Sequence, residues 1–224
     1  MATASDSRAA GEPGRGKGKR ARILAAAQEV FAEQGFDAAR MEEVARRARV
    51  GKGTLYNYYA SKKDLLIHAV IASMEEVRER IATTLDPSPD QPIRLLEDVL
   101  RMLIVDALPG PAQRSYSLYN QAWGVIARDP EARRRLFEAS QAFYRERERD
   151  FEGLIEAGGR AGQCRSDLDP AEVSLLLQAL FDGLLHRAAF DEQRVDPSRA
   201  FGALLQLLRD GLYQGPSHEA ERPR

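Results

Sequence analysis

The sequence has little of what secreted proteins and most catalysts depend on. Only one of the 224 residues, Cys164, is a cysteine, so no intrachain disulfide can form and a reducing compartment is indicated. The three histidines, His68, His186 and His218, are scattered and lack the spacing of metal ligands. No P-loop, dinucleotide-binding fingerprint or nucleophile elbow occurs. We therefore expect no metal, no cofactor and no enzymatic activity.

Long apolar runs are also missing. The longest, around residues 175–185, is interrupted by Gln178 and Asp182, so no segment is suited to crossing a bilayer. The N-terminal stretch MATASDSRAAGEPGRGKGKR lacks the apolar core of a secretory signal. These absences predict a cytoplasmic protein without a membrane partner.

Charge is distributed unevenly along the chain. Residues 1–65 contain 13 Lys/Arg and 8 Asp/Glu, whereas the remaining residues contain 20 and 26, so the formal net charge of -1 conceals a basic front and an acidic body. Such an asymmetry indicates contact with a polyanion through the N-terminal part alone.

The apolar residues recur at helical spacing, and no alternating strand pattern is present, so the expected class is all-α. Proline and glycine mark the ends of the helices. Gly35 is expected to cap the first helix, and Ser61 with Asp64 to form a capping box for the fourth. The predicted helices cover about residues 20–34, 41–48, 52–59, 61 to before 87, 92–107, 112–127, 131–157, 170–189 and 197–213.

Composition divides the chain into four predicted regions. They are a disordered basic arm over residues 1–19, a helix-turn-helix DNA-binding domain over 20–65, a helical ligand-binding and dimerisation domain over 66–214 and a flexible tail over 215–224. The arm either contacts DNA phosphates or the minor groove, or is a solubilising tail. The charged run RERERD at 145–150 is expected on a solvated helix face.

Residues 41–65, MEEVARRARVGKGTLYNYYASKKDL, carry the strongest functional signal. Two short helices joined by a tight turn are expected, with Ala45 as the small residue at their crossing and Leu55 and Tyr59 anchoring the second helix. The outer face of that helix carries small, polar, aromatic and basic side chains, which is typical of a helix that meets DNA. These residues are Lys52, Thr54, Tyr56, Asn57 and Tyr58.

Chemistry assigns expected roles to residues around this face. Gly51 and Gly53 would let backbone amides approach phosphates, and Lys62 would neutralise a phosphate. Asn57 or Lys52 would contact base edges in the major groove. The alternative is a merely packed helical hairpin. Three aromatic residues within four positions, two of which cannot face the same core, argue against that alternative.

The stretch VGKGTLYNYYASKKDL resembles the TetR/AcrR family of bacterial one-component regulators, closely over residues 20–70 and more loosely in the order of later helices. The resemblance implies an N-terminal three-helix DNA-binding domain, a helical ligand-binding body and a homodimer built largely from the last two helices. Carried over position by position, the DNA contacts of the family fall on Lys52, Gly53, Thr54, Tyr56, Asn57, Tyr58 and Lys62.

Four residues depart from the family pattern. Gly51 stands where serine is common, and Arg49 where glycine often makes the turn, at a cost of about 1 kcal/mol if the turn needs a positive φ. Arg40 replaces the threonine that usually caps the second helix, which makes Arg40 a candidate phosphate contact instead. Tyr59 replaces phenylalanine, so its hydroxyl requires a partner or a route to water.

Ligand and dimer contacts are expected further along the chain. Candidates for a pocket among the middle helices, each with ordinary core packing as the alternative, are Met102, Tyr116, Tyr119, Asn120, Trp123 and Phe143. This mixture of aromatic and polar groups predicts a small apolar or aromatic effector. Candidates for a dimer interface, some of which must serve the intrachain core instead, are Leu177, Leu180, Leu184, Phe201, Leu205 and Leu208.

These features together predict a ligand-responsive transcriptional repressor. It would bind a palindromic double-stranded DNA operator as a homodimer and be released by a small-molecule effector. Two alternatives remain open. One is a transcriptional activator of the same fold. The other is a helical small-molecule-binding protein with weak DNA binding, for which Arg40, Arg49 and Gly51 are the best support.

Overall fold

The computed structural model describes residues 13–85, 91–190 and 195–213. Within these ranges the chain is built of helices, with one isolated β-bridge between Cys164 and Tyr213 and no extended strand, which agrees with the all-α prediction. The helices are α1 Pro13–Ala38, α2 Met41–Arg47, α3 Lys52–Tyr58, α4 Lys62–Thr84, α5 Pro92–Arg101, α6 Gln113–Ile126, α7 Pro130–Arg160, α8 Pro170–Phe190 and α9 Pro197–Gly211, with a π-helical segment Met102–Ala112 between α5 and α6.

The chain divides into two compact units, an N-terminal unit Met1–Ala69 and a C-terminal unit Val70–Arg224. The boundary lies inside α4, close to the one expected after residue 65. Residues 1–12 of the predicted arm and all of the predicted tail over 215–224 lie outside the described residues.

Helix α1 begins earlier than predicted, at Pro13 instead of Arg20, so it includes the last residues of the predicted arm. Proline is favourable in a first helical turn because the amide that it lacks would be unpaired there. The helix bends at Gly35, whose φ of 74° lies in the left-handed region, as expected of a glycine cap. Phe36 then folds back so that its ring stacks on Phe31, with 6.0 Å between the ring centroids.

In the N-terminal unit, α2 packs against α1 and α3. Ser61 caps the start of α4 as predicted, because the backbone N–H of Asp64 donates to Ser61 Oγ at 3.0 Å. Asp64 Oδ2 accepts from the N–H of Ala60, one residue before the cap, at 3.2 Å. The buried side chains of the unit include Ile23, Ala27, Val30, Phe31, Val44, Leu55, Leu65 and Leu66.

In the C-terminal unit, the long helix α7 packs against α5 and α8, and α9 packs against the π-helical segment. None of the helices in the described ranges is both long enough and apolar enough to cross a membrane. The core of the unit includes Leu96, Leu100, Leu103, Phe151, Ile155, Phe181 and Leu208.

The break predicted between residues 107 and 112 is wrong. The backbone continues helically through Pro109, Gly110 and Pro111 in the π-helical segment, so that residues 92–126 follow one helical path. Proline lacks an amide donor and clashes with the preceding turn of an α-helix. The chain therefore departs from α-helical geometry at these prolines without leaving helical geometry altogether.

Gly158 lies where α7 meets the core. A Cβ atom there would be 2.6 Å from Ile93 Cδ1 and 2.8 Å from Cys164 Sγ, distances that real Cβ atoms do not show. We expect Gly158→Ala to lower the free energy of unfolding by about 1–3 kcal/mol through overpacking. The neighbouring Gly159, whose Cβ would meet no described atom within 4 Å, supplies the matched control.

Gly159→Ala is expected to leave stability unchanged or raise it by up to about 1 kcal/mol, because alanine is the better helix former. Urea unfolding of the two variants beside the unmodified protein measures the difference. Equal effects of the two substitutions would contradict this account of the packing.

Cys164 is buried beside Gly158 and belongs to the bridge that joins the end of α7 to the end of α9. The backbone N–H of Arg165 extends this contact by donating to the carbonyl of Leu212 at 2.9 Å. Burial raises the pKa of the Cys164 thiol to about 11, so the thiol packs as a small apolar group.

Candidate DNA-recognition surface and ligand pocket

The turn between α2 and α3 is tight and internally hydrogen-bonded. The backbone N–H of Val50 donates to the carbonyl of Ala45 at 3.0 Å, and that of Arg49 donates to Arg46 at 3.2 Å. Arg49 has a φ of 54°, which confirms that the turn requires the left-handed region favoured by glycine. An arginine at this position costs about 1 kcal/mol of local strain.

The inner face of α3 is fixed by the residues that the sequence assigned to it. Leu55 and Tyr59 are buried, as are Val44 and Ala45 on α2. The Tyr59 hydroxyl makes no hydrogen bond within the described part of the chain, and burial raises its pKa, an effect that the nearby Arg20 opposes. These anchors leave the other side of α3 facing outward.

That outer side, here called the recognition face, consists of Lys52, Gly53, Thr54, Tyr56, Asn57 and Tyr58. Five of these residues are exposed and Thr54 is half-buried. A Cβ atom at Gly53 would meet no described atom within 4 Å, so packing of the described residues does not require glycine there. Its missing side chain leaves the backbone open to close approach by a ligand such as a phosphate.

Lys52 is paired within the chain. Its ammonium lies 2.6 Å from Glu42 Oε1 on α2, and both side chains are exposed. This hydrogen bond lowers the pKa of Glu42 and raises that of Lys52. Both groups therefore stay charged near neutral pH, and a phosphate must compete with Glu42 for the ammonium.

Arg47 braces α2 against α1. Its guanidinium donates to both carboxylate oxygens of Glu33 on α1, at 2.8 and 2.6 Å, and to Glu43 on its own helix at 2.8 Å. Hydrogen bonds from Arg46 and Arg47 lower the pKa of Glu43 to about 2. The carboxylate consequently remains ionised and the brace persists at physiological pH.

Lys62, whose contact with a phosphate stays a prediction, is bonded to the backbone within the chain. Its ammonium donates to the carbonyls of Phe36, Asp37 and Ala39, at 2.7, 3.1 and 3.0 Å, and lies 4.5 Å from the centroid of the Phe36 ring. An ammonium has three donors, so these carbonyls account for all of them. The side chain thus ties the start of α4 to the segment between α1 and α2.

Helices α2 and α3 both begin without a side-chain cap. Arg40, exposed and extended with φ −112° and ψ 137°, makes no capping hydrogen bond, and Gly51 has no side chain with which to cap α3. The replacement of the usual threonine by Arg40 therefore leaves α2 without a side-chain cap. Helices this short are marginal alone, so the position of α3 depends on its buried anchors and on the contacts of Arg47 and Lys62.

The C-terminal unit contains a pocket between α4, α6, α7 and α8. The pocket is partly open to solvent, and about 460 Å³ of non-atom space, open solvent included, lies within its outline. Its lining includes Met74, Val77, Ser115, Tyr116, Tyr119, Phe143, Tyr144, Arg147, Phe181, Asp182 and Leu185. Such a wall, apolar and aromatic with a few polar groups, is typical of small-molecule sites.

Three of the six residues predicted for a pocket line this one, namely Tyr116, Tyr119 and Phe143. The structure places the other three elsewhere. Met102 packs against the core, Asn120 is exposed, and Trp123 borders a separate hollow beside Phe137. His186 is exposed and bonded through Nδ1 to the Tyr116 hydroxyl at 2.6 Å.

Arg147 corrects the expectation that residues 145–150 form a solvated face. Its side chain is only 3% exposed. The guanidinium donates to Gln178 Oε1 at 2.9 Å and to Asp182 Oδ1 at 3.1 Å. The missed signal is periodicity, since Arg147 lies midway between Phe143 and Phe151 at helical spacing and thus on the buried stripe of α7.

Two family profiles match the sequence of this chain. Residues 23–69 match that of the bacterial regulatory proteins of the tetR family, and residues 96–212, just over half of the chain, match the profile described as BetI-type transcriptional repressor, C-terminal. The chain belongs to the TetR family. It is therefore a transcriptional regulator with a helix-turn-helix DNA-binding domain.

Individual relatives agree with the assignment. The chain is 27% identical over 198 residues to the regulator SrpR of Pseudomonas putida, covering 85% of each protein. A transcriptional regulator from Saccharomonospora viridis in complex with choline superposes with a TM-score of 0.68 at 22% identity, over 89% of this chain and 100% of that one. FadR from Bacillus subtilis in complex with stearoyl-CoA gives 0.62 at 20% identity, over 86% and 98%. At these identities the solved structures show the fold alone.

This TetR-family chain carries exposed leucines on two helices, Leu176 and Leu180 on α8 and Leu207 on α9, which are together called the leucine face. Leu176 and Leu207 are 67% and 69% exposed, and Leu180 is 42% exposed. Of the residues predicted for a dimer interface, Leu180 belongs to this face. Leu184, Phe201 and Leu205 are half-buried.

The other two dimer candidates, Leu177 and Leu208, are buried in the core of their own unit. They are therefore unavailable to a partner in this conformation. They alternate with the exposed leucines along the same helices, and this is why the sequence did not separate the two sets.

Proposed function

We propose that this protein is a ligand-responsive repressor that binds a palindromic operator as a homodimer. The observation that carries the proposal is the recognition face, which is exposed on a helix whose opposite side is anchored by Leu55 and Tyr59. The description of the C-terminal family profile as a repressor supports repression over activation. Because its target is DNA, we place its action in the cytoplasm.

The leucine face supports a homodimer. Two copies joined through α8 and α9 would form a four-helix arrangement about a two-fold axis. A two-fold dimer presents two recognition helices to half-sites one or more helical turns apart, which requires a palindromic operator.

The pocket supports a response to a ligand. Met74 and Val77 line it from α4, and α4 also contains Lys62, which ties its first turn to the segment before α2. A ligand that prefers one path of α4 would shift the population of conformations that bind the operator. Coupling of about 1–3 kcal/mol would lower operator affinity by roughly 5–150-fold.

Fluorescence anisotropy with DNA from upstream of the gene, titrated with salt and with unrelated competitor DNA, tests the proposal. Binding that resists the competitor, with two protomers or more per site, is the expected result. Binding that the competitor abolishes on every upstream fragment would favour the alternative of a small-molecule-binding protein with weak DNA binding.

Lys52→Ala tests the recognition face directly. We expect operator affinity to fall roughly tenfold and the slope of log K against log salt to decrease by about one, because one cationic contact with the DNA is lost whether the ammonium lies at a base edge or at a phosphate. Arg128→Ala, which removes an exposed arginine after α6 in the C-terminal unit, is the matched control and should leave the slope unchanged. Equal slopes for all three proteins would remove Lys52 from the DNA contacts.

A further inference from the structure

The guanidinium of Arg147 lies at the wall of the pocket under unusual conditions for an arginine. Its side chain is 3% exposed, and the centres of the Phe143, Tyr144 and Phe181 rings lie 5.2–5.4 Å from its central carbon. Arginine is almost never buried so completely unless it is paired. Its partners therefore determine what the pocket can accept.

Two side chains of α8 bond this guanidinium. Gln178 accepts from Nε, and the amide of the same residue donates to Glu148 Oε1 at 3.2 Å, which fixes its oxygen towards Arg147. Asp182 accepts from Nη2. A guanidinium has five N–H donors, so in the described part of the chain two are matched and three are not.

The groups that lack hydrogen-bond partners in this pair are N–H donors of Arg147. The Asp182 side chain is 36% exposed, so water can reach its carboxylate, whereas the Arg147 side chain is only 3% exposed and lines the pocket. Among the described residues, no nitrogen of Arg147 is both fully enclosed and without a hydrogen-bond partner. A ligand that cuts a charged donor off from water without supplying an acceptor would leave that donor unpaired, which is costly. A molecule in the pocket that supplies an acceptor avoids this cost, while one that supplies only a donor does not.

We propose, on the basis of the proposed function in which this pocket is the effector site, that the effector is a small organic acid. Its carboxylate accepts hydrogen bonds from the N–H groups of Arg147 that Gln178 and Asp182 leave unmatched. Its apolar body lies among Tyr116, Tyr119 and Phe143. A carboxylate matches the planar fork of a guanidinium, and such charged pairs are roughly twice as strong as neutral hydrogen bonds.

An organic cation is the less suitable ligand. The place among aromatic rings where a cation is favoured is already occupied by the guanidinium itself, and a second positive charge beside it would be repelled. Burial raises the pKa of Asp182, and the charge and hydrogen bond of Arg147 oppose this shift.

Isothermal titration calorimetry on the full chain without DNA tests the class of ligand. The probes are benzoate, 2-naphthoate and octanoate, the uncharged amide of each, and benzyltrimethylammonium. We expect at least one acid to bind at least about tenfold more tightly than its amide, because the amide lacks the charge that strengthens the hydrogen bond. The quaternary ammonium ion is expected not to bind.

Variants locate the interaction. Arg147→Met leaves Asp182 without its counter-ion and can disturb the fold, so the double variant Arg147→Met/Asp182→Asn accompanies it. Both are expected to weaken binding of the acid by at least about tenfold while leaving its amide unaffected. The matched control is Arg145→Met, the same substitution at an exposed position on the same helix, which should not change binding.

Three results would overturn the proposal. They are tighter binding of the ammonium ion than of any acid, unchanged binding of acids by the double variant, and no binding of any acid at millimolar concentration. These outcomes are separate from the failure of the proposed function, which concerns DNA. An acid that binds through Arg147 but leaves the operator complex intact would contradict ligand-responsive repression and leave the acid-binding pocket established.

Discussion

Lys62→Met is expected to weaken operator binding about tenfold at every salt concentration, with the slope of log K against log salt unchanged. The ammonium of Lys62 binds three carbonyls at the end of α1 and just before α2. Its loss is therefore expected to loosen the segment that holds α2 and α3 in place. Hydrogen bonds from charged groups contribute about 1.5–3 kcal/mol each, and partial exposure of this group reduces the total. We expect the free energy of unfolding of the N-terminal unit to fall by about 2 kcal/mol.

Salt titration by anisotropy and hydrogen exchange of residues 36–41 together measure this effect. Exchange at these residues should accelerate in Lys62→Met and remain unchanged in Lys52→Ala, which is expected to alter the slope instead. A smaller slope with unaltered exchange would show that Lys62 contacts a phosphate in the complex, as its position in the family motif first indicated.

Leu176→Glu combined with Leu207→Glu is expected to convert the protein into a monomer at micromolar concentration. Burying a leucine stabilises an association by about 1.5–3 kcal/mol, and two-fold symmetry makes each substitution occur twice. The double variant should therefore weaken dimerisation by at least about 6 kcal/mol. Light scattering coupled to size-exclusion chromatography measures the mass.

Operator binding by this double variant should fall at least about a hundredfold, since each half-site would then bind independently. Phe137→Glu is the control, because Phe137 is 53% exposed but lies on α7, outside the leucine face. Should Phe137→Glu dissociate the dimer while the leucine variant stays intact, the interface would have to be placed on α7.

The sequence predicts the N-terminal unit well because its signals are local. Gly35, the Ser61 cap and the spacing of Leu55 and Tyr59 act within one or two helical turns, and each was found where expected. The strain at Arg49 follows from a single backbone angle and was anticipated for the same reason.

The features that the sequence did not predict depend on distant contacts. The contact of Lys62 is with a segment more than 20 residues away, and the burial of Arg147 depends on Gln178 and Asp182 of another helix. Helical periodicity identifies an apolar stripe but not which helix covers it, so buried Leu177 and exposed Leu180 were predicted alike as dimer contacts. Proline and glycine predicted a break at 109–111 because the rule describes α-helices and not π-helical turns.

The burial of Cys164 makes the protein convenient for distance measurements. With a pKa of about 11, roughly one thiol in 10⁴ is ionised at neutral pH, and the sulfur is enclosed besides. A cysteine introduced at exposed Asn57 would thus be labelled selectively with the native thiol left in place. In the proposed homodimer, one spin label on each protomer would then report the separation of the two recognition helices directly, before and after the proposed effector is added.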